Sequence, residues 1–273
     1  MGQIATAKRV FASRGWPGVL SAFKDRYLNN SVGARLDWCY GRMLELRGNV
    51  VRVERCVFSL DSPAITTASK SKFMFDQYER PEREAIRRFV DPALPVVELG
   101  GSIGVVACLT NRSLRDPRAH VVVEANPALV PLLLSNRDRN GCHFTVLARM
   151  VGYGAARSSF YVDRNNFVVS SARPTGGGSS VAVVEVETVD LSSILDEHGF
   201  DRCTLICDIE GGESELLRHE ADVLRRRVST MMLEVHEWAM GAARTAQCFE
   251  QLGTLGFRTV FAEADTHVLQ RPE

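Results

Sequence analysis

The chain has 273 residues, of which 45% are hydrophobic and 24% are charged, as is usual for a globular protein. Its 33 basic and 33 acidic residues cancel, so the charge balance gives no reason to expect nucleic acid or an anionic membrane as a partner. The seven cysteines are never spaced as CxxC and no apolar run is long enough to span a bilayer, so we expect a cytoplasmic protein without a disulfide scaffold or a structural zinc site.

Residues 1–75 form a lead-in in which we find no motif. Their pattern predicts helices at about 17–28 and 31–47, followed by one strand, NVVRVERCVFSL (49–60). We expect this lead-in to cover an edge of a sheet, to shape a substrate pocket, or to contact a second copy of the chain in a homo-oligomer.

Apolar, strand-like runs alternate with helical patterns from about residue 95 onward. The predicted strands are PVVEL (95–99), HVVVEA (120–125), HFTVLA (143–148), CTLICD (203–208) and TMMLEVH (230–236), and the predicted helices cover 104–113, 127–139, 190–198, 213–227 and 242–254. Because these strands are continuously apolar, we expect helices on both faces of the sheet. The pattern predicts an α/β domain over residues 76–273, with a Rossmann-like, doubly wound and mostly parallel sheet.

A β-rich excursion interrupts this alternation between residues 153 and 187. SSFYVD (158–163), NNFVVSS (165–171) and VAVVEVETVD (181–190) read as strands, and the loop PTGGGSS (174–180) joins the last two. Consecutive glycines remove side-chain restraint, so we expect the loop to be a flexible hairpin tip, with a lid as the alternative.

The first strand-to-helix turn lies within VVELGGSIGVVACL (96–109) and is rich in glycine. Gly100 and Gly104 let a ligand approach the backbone near a helix N-terminus, and a tight turn without a ligand is the alternative. Ser102 stands where a dinucleotide fingerprint has its second glycine, which argues against a diphosphate ligand. The carboxylate of Glu98 suits instead a ligand with an ammonium group and hydroxyl groups, such as one with a methionine moiety.

Glu124 lies at the end of the second predicted strand. An acid at this position of a doubly wound fold can accept hydrogen bonds from both hydroxyl groups of a ribose. The alternative is a surface acid beside a helix start, because Asn126 can cap a helix and Pro127 suits its first position. The two interpretations are compatible.

Carboxylates crowd the end of the fourth predicted strand, in LICDIEGGESELL (205–217). The two glycines of this segment turn the chain into the next helix. Glu213 complements the positive end of that helix, so we assign it a structural role. Asp208 and Glu210 remain as candidates for chemistry.

Six segments share their order and spacing with a known family: YERPERE (78–84), VVELGGSIG (96–104), VEANPALVPLL (123–133), VETVDLSSIL (186–195), CDIEGGESELL (207–217) and MLEVHEW (232–238). Together they resemble the FkbM-type class I S-adenosylmethionine-dependent methyltransferases, over about residues 76–270. DxEGxE is the most specific element. The sequence departs from the family at Glu98, where Asp is usual, at Gly212, and in having EANP for EPNP.

The resemblance implies that S-adenosylmethionine is the cofactor. The first turn would line its methionine end through the four residues Glu98, Gly100, Ser102 and Gly104. Glu124 would hold its ribose, and the segment 148–152 would flank its adenine.

Methyl transfer to a hydroxyl group requires that the hydroxyl proton be removed, either by a base or with the help of a metal ion that lowers its pKa. His236 is the first candidate base, because an imidazole accepts a proton near neutral pH; a structural histidine at a strand end is the alternative. Asp208 is the second candidate, as a base or to orient His236. A metal site is the other possibility, in which Mg²⁺ or Mn²⁺ binds Asp208, Glu210, Glu234 and His236.

The sequence therefore predicts an S-adenosylmethionine-dependent O-methyltransferase. We expect it to act on a small or medium-sized hydroxylated acceptor, a sugar or a natural product, and to serve natural product biosynthesis. One alternative is a methyltransferase-like module that binds without catalysis. The other is a nicotinamide-dependent oxidoreductase, against which Ser102 argues.

Overall fold

The computed structural model describes residues 30–74, 78–163, 170–171 and 181–272. Its first element, α1 (Asn30–Leu46), corresponds to the second predicted helix, whereas the predicted helix at 17–28 lies outside the described residues. A hairpin of β1 (Val50–Val53) and β2 (Cys56–Ser59) follows, so the prediction of one continuous strand was wrong. Glu54, with a left-handed φ of 52°, reverses the chain there.

Short helices connect this hairpin to the main sheet. They are α2 (Thr67–Lys70), a 3₁₀ turn (Ser71–Phe73) and α3 (Arg80–Phe89). The sequence reading missed α3, although proline in its first turn is a usual start signal.

The first half of the main sheet follows the predicted alternation. Its elements are β3 (Val96–Leu99), α4 (Val105–Asn111), β4 (His120–Val123), α5 (Val130–Arg139) and β5 (Thr145–Leu147). Pro131 stands in the first turn of α5, where its missing N–H group costs no helical hydrogen bond, and regular helix accordingly begins next to this proline, at Val130.

The excursion forms a second sheet. Its strands are β6 (Met150–Val151), β7 (Arg157–Asp163), β8 (Ser170–Ser171) and β9 (Val181–Val189), in the order β6-β9-β7-β8. The long strands β7 and β9 pair antiparallel, and β8 pairs with the other edge of β7. The expected hairpin of the strands at 165–171 and 181–190 was therefore wrong, because β7 lies between β8 and β9. The glycine-rich loop at 174–180, predicted as a flexible tip, lies outside the described residues.

The second half of the main sheet contains α6 (Leu191–Glu197), β10 (Cys203–Cys207), α7 (Glu213–Arg227), β11 (Val228–Glu234), α8 (Glu237–Met240), α9 (Ala242–Thr254), β12 (Arg258–Glu263) and β13 (Thr266–Gln270). Helices α7 and α9 have the predicted bounds. Strands β12 and β13 were not predicted.

The main sheet has seven strands in the order β12-β13-β11-β10-β3-β4-β5. Neighbours from β11 to β5 are parallel, and β13 is antiparallel to both β11 and β12. The predicted doubly wound, mostly parallel α/β fold is confirmed. The chain leaves β3 towards β4 and leaves β10 towards β11, so a crevice opens between the carboxyl ends of β3 and β10, where such sheets bind ligands.

The lead-in packs into the same hydrophobic core as the main sheet. Leu44, Phe58 and Phe73 belong to one buried cluster with Ile103 and Leu133. The backbone N–H group of Ser59 also donates to Asn136 Oδ1 of α5 at 2.8 Å. Among the described residues, no helix is long and apolar enough to cross a membrane.

Gly100 allows the two halves of the sheet to meet at the crevice. It adopts a left-handed φ of 96°, and a Cβ atom there would lie 1.8 Å from the backbone oxygen of Asp208. The backbone N–H group of Asp208 donates to the oxygen of Leu99 at 2.9 Å, which continues the pairing of β10 with β3. A side chain at position 100 would therefore push Asp208 away from β3.

We expect Gly100→Ala to lower the free energy of unfolding by about 2–5 kcal/mol, because it adds a backbone clash to the cost of a left-handed alanine. Gly199→Ala is the matched control. Gly199 has a φ of 67°, and a Cβ atom there would meet no atom of a non-adjacent residue within 4 Å. It should therefore lose only about 1–2 kcal/mol. Urea denaturation measures both values, and equal losses would mean that Asp208 moves aside at little cost.

Candidate functional site

An open cleft lies at the carboxyl ends of β3, β4 and β10, with an empty volume of about 730 Å³. A volume of this order accommodates a cofactor-sized ligand. The polar wall contains Ser102, Glu124, Asp208 and Glu210. The apolar wall contains Val123, Leu129, Met150, Val151, Phe160 and Ile209.

Glu124 follows β4, and two backbone groups hold its carboxylate. The N–H group of Ser102 donates to Oε2 and that of Asn126 donates to Oε1, each at 2.6 Å. Burial raises the pKa of Glu124 to about 7, although these two hydrogen bonds act to lower it. Asn126 Oδ1 in turn accepts from the N–H group of Ala128 at 3.0 Å. Glu124 thus lines the cleft, whereas the predicted capping by Asn126 was wrong, because the helix begins only at Val130 and the Asn126 side chain closes a turn ahead of it.

Ser102 connects the first turn to this carboxylate. It has a left-handed φ of 45°, which is strained for a residue with a side chain, and its bond to Glu124 stabilises that conformation. Its hydroxyl oxygen lies 3.5 Å from the hydroxyl oxygen of Tyr78. The predicted position of Ser102 in the ligand-facing turn agrees with its place in the cleft wall.

Glu98 and Gly104, predicted beside the cofactor, do not line the cleft. Glu98 is 1% exposed and its carboxylate lies 3.6 Å from His120 Nε2. Burial raises the pKa of Glu98 well above its usual value and lowers that of His120 to about 3, so burial favours the neutral form of each side chain. A Cβ atom at Gly104 would lie 2.7 Å from Leu133, so this glycine allows α4 to pack against α5.

The segment 148–152, predicted to flank an adenine, supplies three residues of the cleft wall, Arg149, Met150 and Val151. This agrees with the predicted position, while the adenine itself remains a prediction.

Four acids surround His236, which follows β11. His236 Nδ1 lies 3.0 Å from Glu213 Oε1. Nε2 lies 3.4 Å from Asp208 Oδ1 and 3.5 Å from Glu210 Oε2. Glu234 Oε1 is 3.8 Å from the same nitrogen. The structure therefore brings together all four predicted catalytic or metal-binding residues, at the ends of neighbouring strands.

The charge state of this cluster does not suit His236 as a base. Burial by itself lowers the pKa of His236, but the hydrogen bond with Glu213 and the carboxylates that face Nε2 raise it to about 10. An imidazolium has no free lone pair with which to accept a proton. Burial also raises the pKa of Glu210 to about 7 and that of Glu234 to about 8, and it raises the pKa of Asp208 strongly.

Glu213 has a more specific role than the predicted helix-end charge. It is the first residue of α7 and is 1% exposed. Its Oε1 atom accepts from the N–H group of Gly211 at 3.2 Å and contacts His236 Nδ1. Glu213 therefore orients the imidazole, a contact that joins distant parts of the sequence and leaves no local signal.

Sequence reasoning also missed aromatic and acidic residues near the cleft. Tyr78 and Glu79 line it, just before α3. Burial raises the pKa of Glu79 to about 8. Trp238 is 55% exposed, and its ring lies edge-on to His236 with 5.9 Å between the ring centroids. The motifs YERPERE and MLEVHEW contain three of these residues and were the only signal for them.

Comparison with known proteins gives a family match. A family model described as the Methyltransferase FkbM domain matches residues 98–259. No curated protein matches the sequence.

Several solved structures are similar at low identity. Precorrin-6y C5,15-methyltransferase from Geobacter metallireducens has 12% identity and a TM-score of 0.42, over 74% of this chain and 92% of that one. Ribosomal protein L11 methylase from Lactobacillus delbrueckii has 10% identity and a TM-score of 0.43, over 82% and 100%. TYW2 from M. jannaschii, in complex with AdoMet, has 12% identity and a TM-score of 0.39, over 82% and 86%. Similarity at this level carries no conclusion about the site.

We expect His236 to remain protonated at pH 8 in the chelator-treated chain and to lose its proton only as the pH rises towards 10. Ring ¹⁵N chemical shifts measure this titration, and His267, whose pKa burial lowers, provides an internal contrast. Glu213→Gln should lower the pKa of His236, because it removes a charged hydrogen-bond partner. A His236 pKa below 7 in the intact chain would contradict this assignment.

Proposed function

The chain belongs to the methyltransferase FkbM family, and we propose that it transfers a methyl group from S-adenosylmethionine to a hydroxyl group of a small or medium-sized acceptor, a sugar or a natural product. The family match, over residues 98–259, includes the carboxyl end of β3 and all of β4 and β10, whose ends form the cleft. It gives no support to the alternative of a nicotinamide-dependent oxidoreductase.

The observation that carries the proposal is the geometry of Glu124. Two backbone N–H groups hold its carboxylate rigidly at the cleft, and each oxygen keeps a further lone pair for an incoming hydroxyl group. A preorganised carboxylate after the second parallel strand suits the vicinal hydroxyl groups of a ribose. The apolar wall at Met150, Val151 and Phe160 suits the adenine ring.

The acids of the cleft suit the charge of the cofactor. S-adenosylmethionine carries a sulfonium and an ammonium group, and it supplies the methyl group when bound. Glu79, Asp208 and Glu210 line the cleft and can stabilise these cationic groups. Binding both reactants in one cleft contributes much of the acceleration, because it removes their translational freedom before the reaction.

Glu210 is our proposed proton acceptor, in place of His236. Glu210 lines the cleft, and its pKa of about 7 lets it accept a proton near neutral pH. In the reaction the acceptor oxygen forms a bond to the methyl carbon while the carbon–sulfur bond breaks. The electron pair of that bond stays on sulfur, and the hydroxyl proton passes to Glu210. His236 lies beside Asp208 and Glu210 and acts as a positioning residue.

Glu124→Ala should weaken the binding of S-adenosylhomocysteine by about 100-fold or more, because it removes charged hydrogen bonds of about 1.5–3 kcal/mol each. Isothermal titration calorimetry measures the change. Glu124→Gln keeps the shape of the side chain and tests whether the charge matters, and Glu250→Gln, at an exposed site on α9, is the control. If the intact chain does not bind S-adenosylhomocysteine, the cofactor assignment fails.

Trp238 offers an exposed aromatic face for the acceptor beside the acidic cluster. We expect Trp238→Ala to raise the KM of the acceptor about three- to tenfold, because stacking on an aromatic ring contributes about 0.5–1.5 kcal/mol. A panel of glycosides, phenols and aliphatic alcohols with isotope-labelled cofactor, read by mass, identifies the acceptor first. Trp38→Ala, at a 54% exposed site on α1, is the matched control.

Equal KM values in the two tryptophan variants would exclude Trp238 from acceptor binding. Cofactor binding without turnover on any member of the panel would favour the non-catalytic binding module instead.

A further inference from the structure

We propose that Asp208, Glu234 and His236 form a binding site for one divalent cation that accepts mixed oxygen and nitrogen ligands, with Mn²⁺ as the preferred ion. Asp208 follows β10, and Glu234 and His236 lie at the end of the neighbouring strand β11. Parallel strands end at the same edge of a sheet, which is why these side chains meet there.

The spacing of the three side chains fits a shared ion. One ligand atom from each lies within 4.8 Å of the others. His236 Nε2 is 3.4 Å from Asp208 Oδ1 and 3.8 Å from Glu234 Oε1. Ligands about 2.1 Å from an octahedral ion lie about 3.0 Å apart in cis and about 4.2 Å apart in trans, so small side-chain shifts suffice. Glu210, which the sequence also suggested as a ligand, does not belong to this set.

The orientation of His236 is a second observation. Its side chain is 6% exposed, and Nδ1 is hydrogen-bonded to Glu213, so Nε2 is directed at the two carboxylates. Nε2 carries a proton in the metal-free chain, and a bound cation would displace that proton. Within the described part of the chain, Nε2 makes no hydrogen bond of its own. Metal-bound histidines commonly contact a carboxylate through their other ring nitrogen, and this contact fixes the tautomer and the direction of the ring.

The local charge also favours a cation. Asp208, Glu210 and Glu234 lie close to one another, and Asp208 Oδ1 and Glu210 Oε2 are buried without a hydrogen-bond partner. Among the described residues, the ion-pair contacts of these three acids are with His236, and Lys72 acts electrostatically on Glu210. Buried carboxylates are usually paired with a cation or bound to a metal.

The ligand types select the ion. Carboxylate oxygens suit Mg²⁺, Ca²⁺ and Mn²⁺, whereas an imidazole suits transition metals. Mn²⁺ accepts both, and three protein ligands leave coordination positions free for small molecules. Asp208 also lines the cleft, so these positions adjoin the space that we assign to the reactants.

The role of the ion in methyl transfer rests on the proposed function, whereas binding of the ion does not. A divalent cation held by Asp208, Glu234 and His236 would lower the pKa of a hydroxyl group brought beside it. Glu210, outside the ligand set, is then free to take the released proton. The methyl carbon gains its bond to oxygen, and sulfur keeps the electron pair of the broken bond.

The test measures Mn²⁺ binding to the full chain without cofactor, after treatment with EDTA and removal of the chelator. Electron paramagnetic resonance of free Mn²⁺ should show one site per chain. The double variant Asp208→Asn/Glu234→Gln should weaken binding at least about 100-fold, because it removes both charged ligands, and Glu213→Gln should weaken it about 10–100-fold. Glu237→Gln, at an exposed neighbouring position, is the control and should bind Mn²⁺ like the unaltered chain.

Three results would overturn the site: no Mn²⁺ binding by the intact chain, equal binding by the double variant, or tighter binding of Mg²⁺ than of Mn²⁺ in competition. Circular dichroism of each variant shows whether it is folded. If the double variant is unfolded, Mn²⁺ binding by Glu213→Gln and by the single variant Glu234→Gln provides the test instead. Parallel calorimetry with S-adenosylhomocysteine separates the two proposals. Mn²⁺ binding without S-adenosylhomocysteine binding removes the proposed function alone, and the converse removes the metal site alone.

Discussion

The contact between Gly100 and the backbone of Asp208 is the constraint on which the site depends. It joins β3 to β10, where the two halves of the sheet diverge, and it leaves no room for a side chain. Because Asp208 is held there, the acids that follow β10 lie opposite the turn that follows β3. The cleft and the cluster around His236 are therefore two sides of one junction, which meet at Asp208.

The fold places several buried or half-buried carboxylates at this junction and satisfies them in different ways. Glu124 has both oxygens bonded to backbone N–H groups, so its carboxylate is preorganised and needs little rearrangement to bind a ligand. The acids around His236 have fewer partners, and two of their oxygens are buried without a hydrogen bond. Such a cluster is costly in the empty protein. This cost is what a positively charged cofactor or a metal ion would relieve, and it is why we place ligands on this side of the sheet.

Periodicity and turn chemistry predicted most of the architecture, and the errors have identifiable physical causes. The bounds of α7 and α9 were correct, and in α7 the apolar spacing agrees with acids in the first turn and arginines in the last. The hairpin of β1 and β2 was read as one strand because Glu54 adopts a left-handed conformation that its residue type does not suggest. Glu98, which the resemblance assigned to the cofactor, lies buried beside His120, and its role towards the cofactor stays a prediction.

The sequence by itself determined the parallel α/β fold, the family, and the strand ends at which Glu124, Asp208, Glu210, Glu234 and His236 lie. These depend on local patterns: apolar runs, glycine turns and the order of motifs. Only the tertiary structure decided what the side chains do together. The contact of Glu213 with His236, the high pKa of that imidazole and the three-residue set at Asp208 arise from distances across strands and from burial. Distances across strands and burial are properties of the packed chain, and no single stretch of sequence contains them.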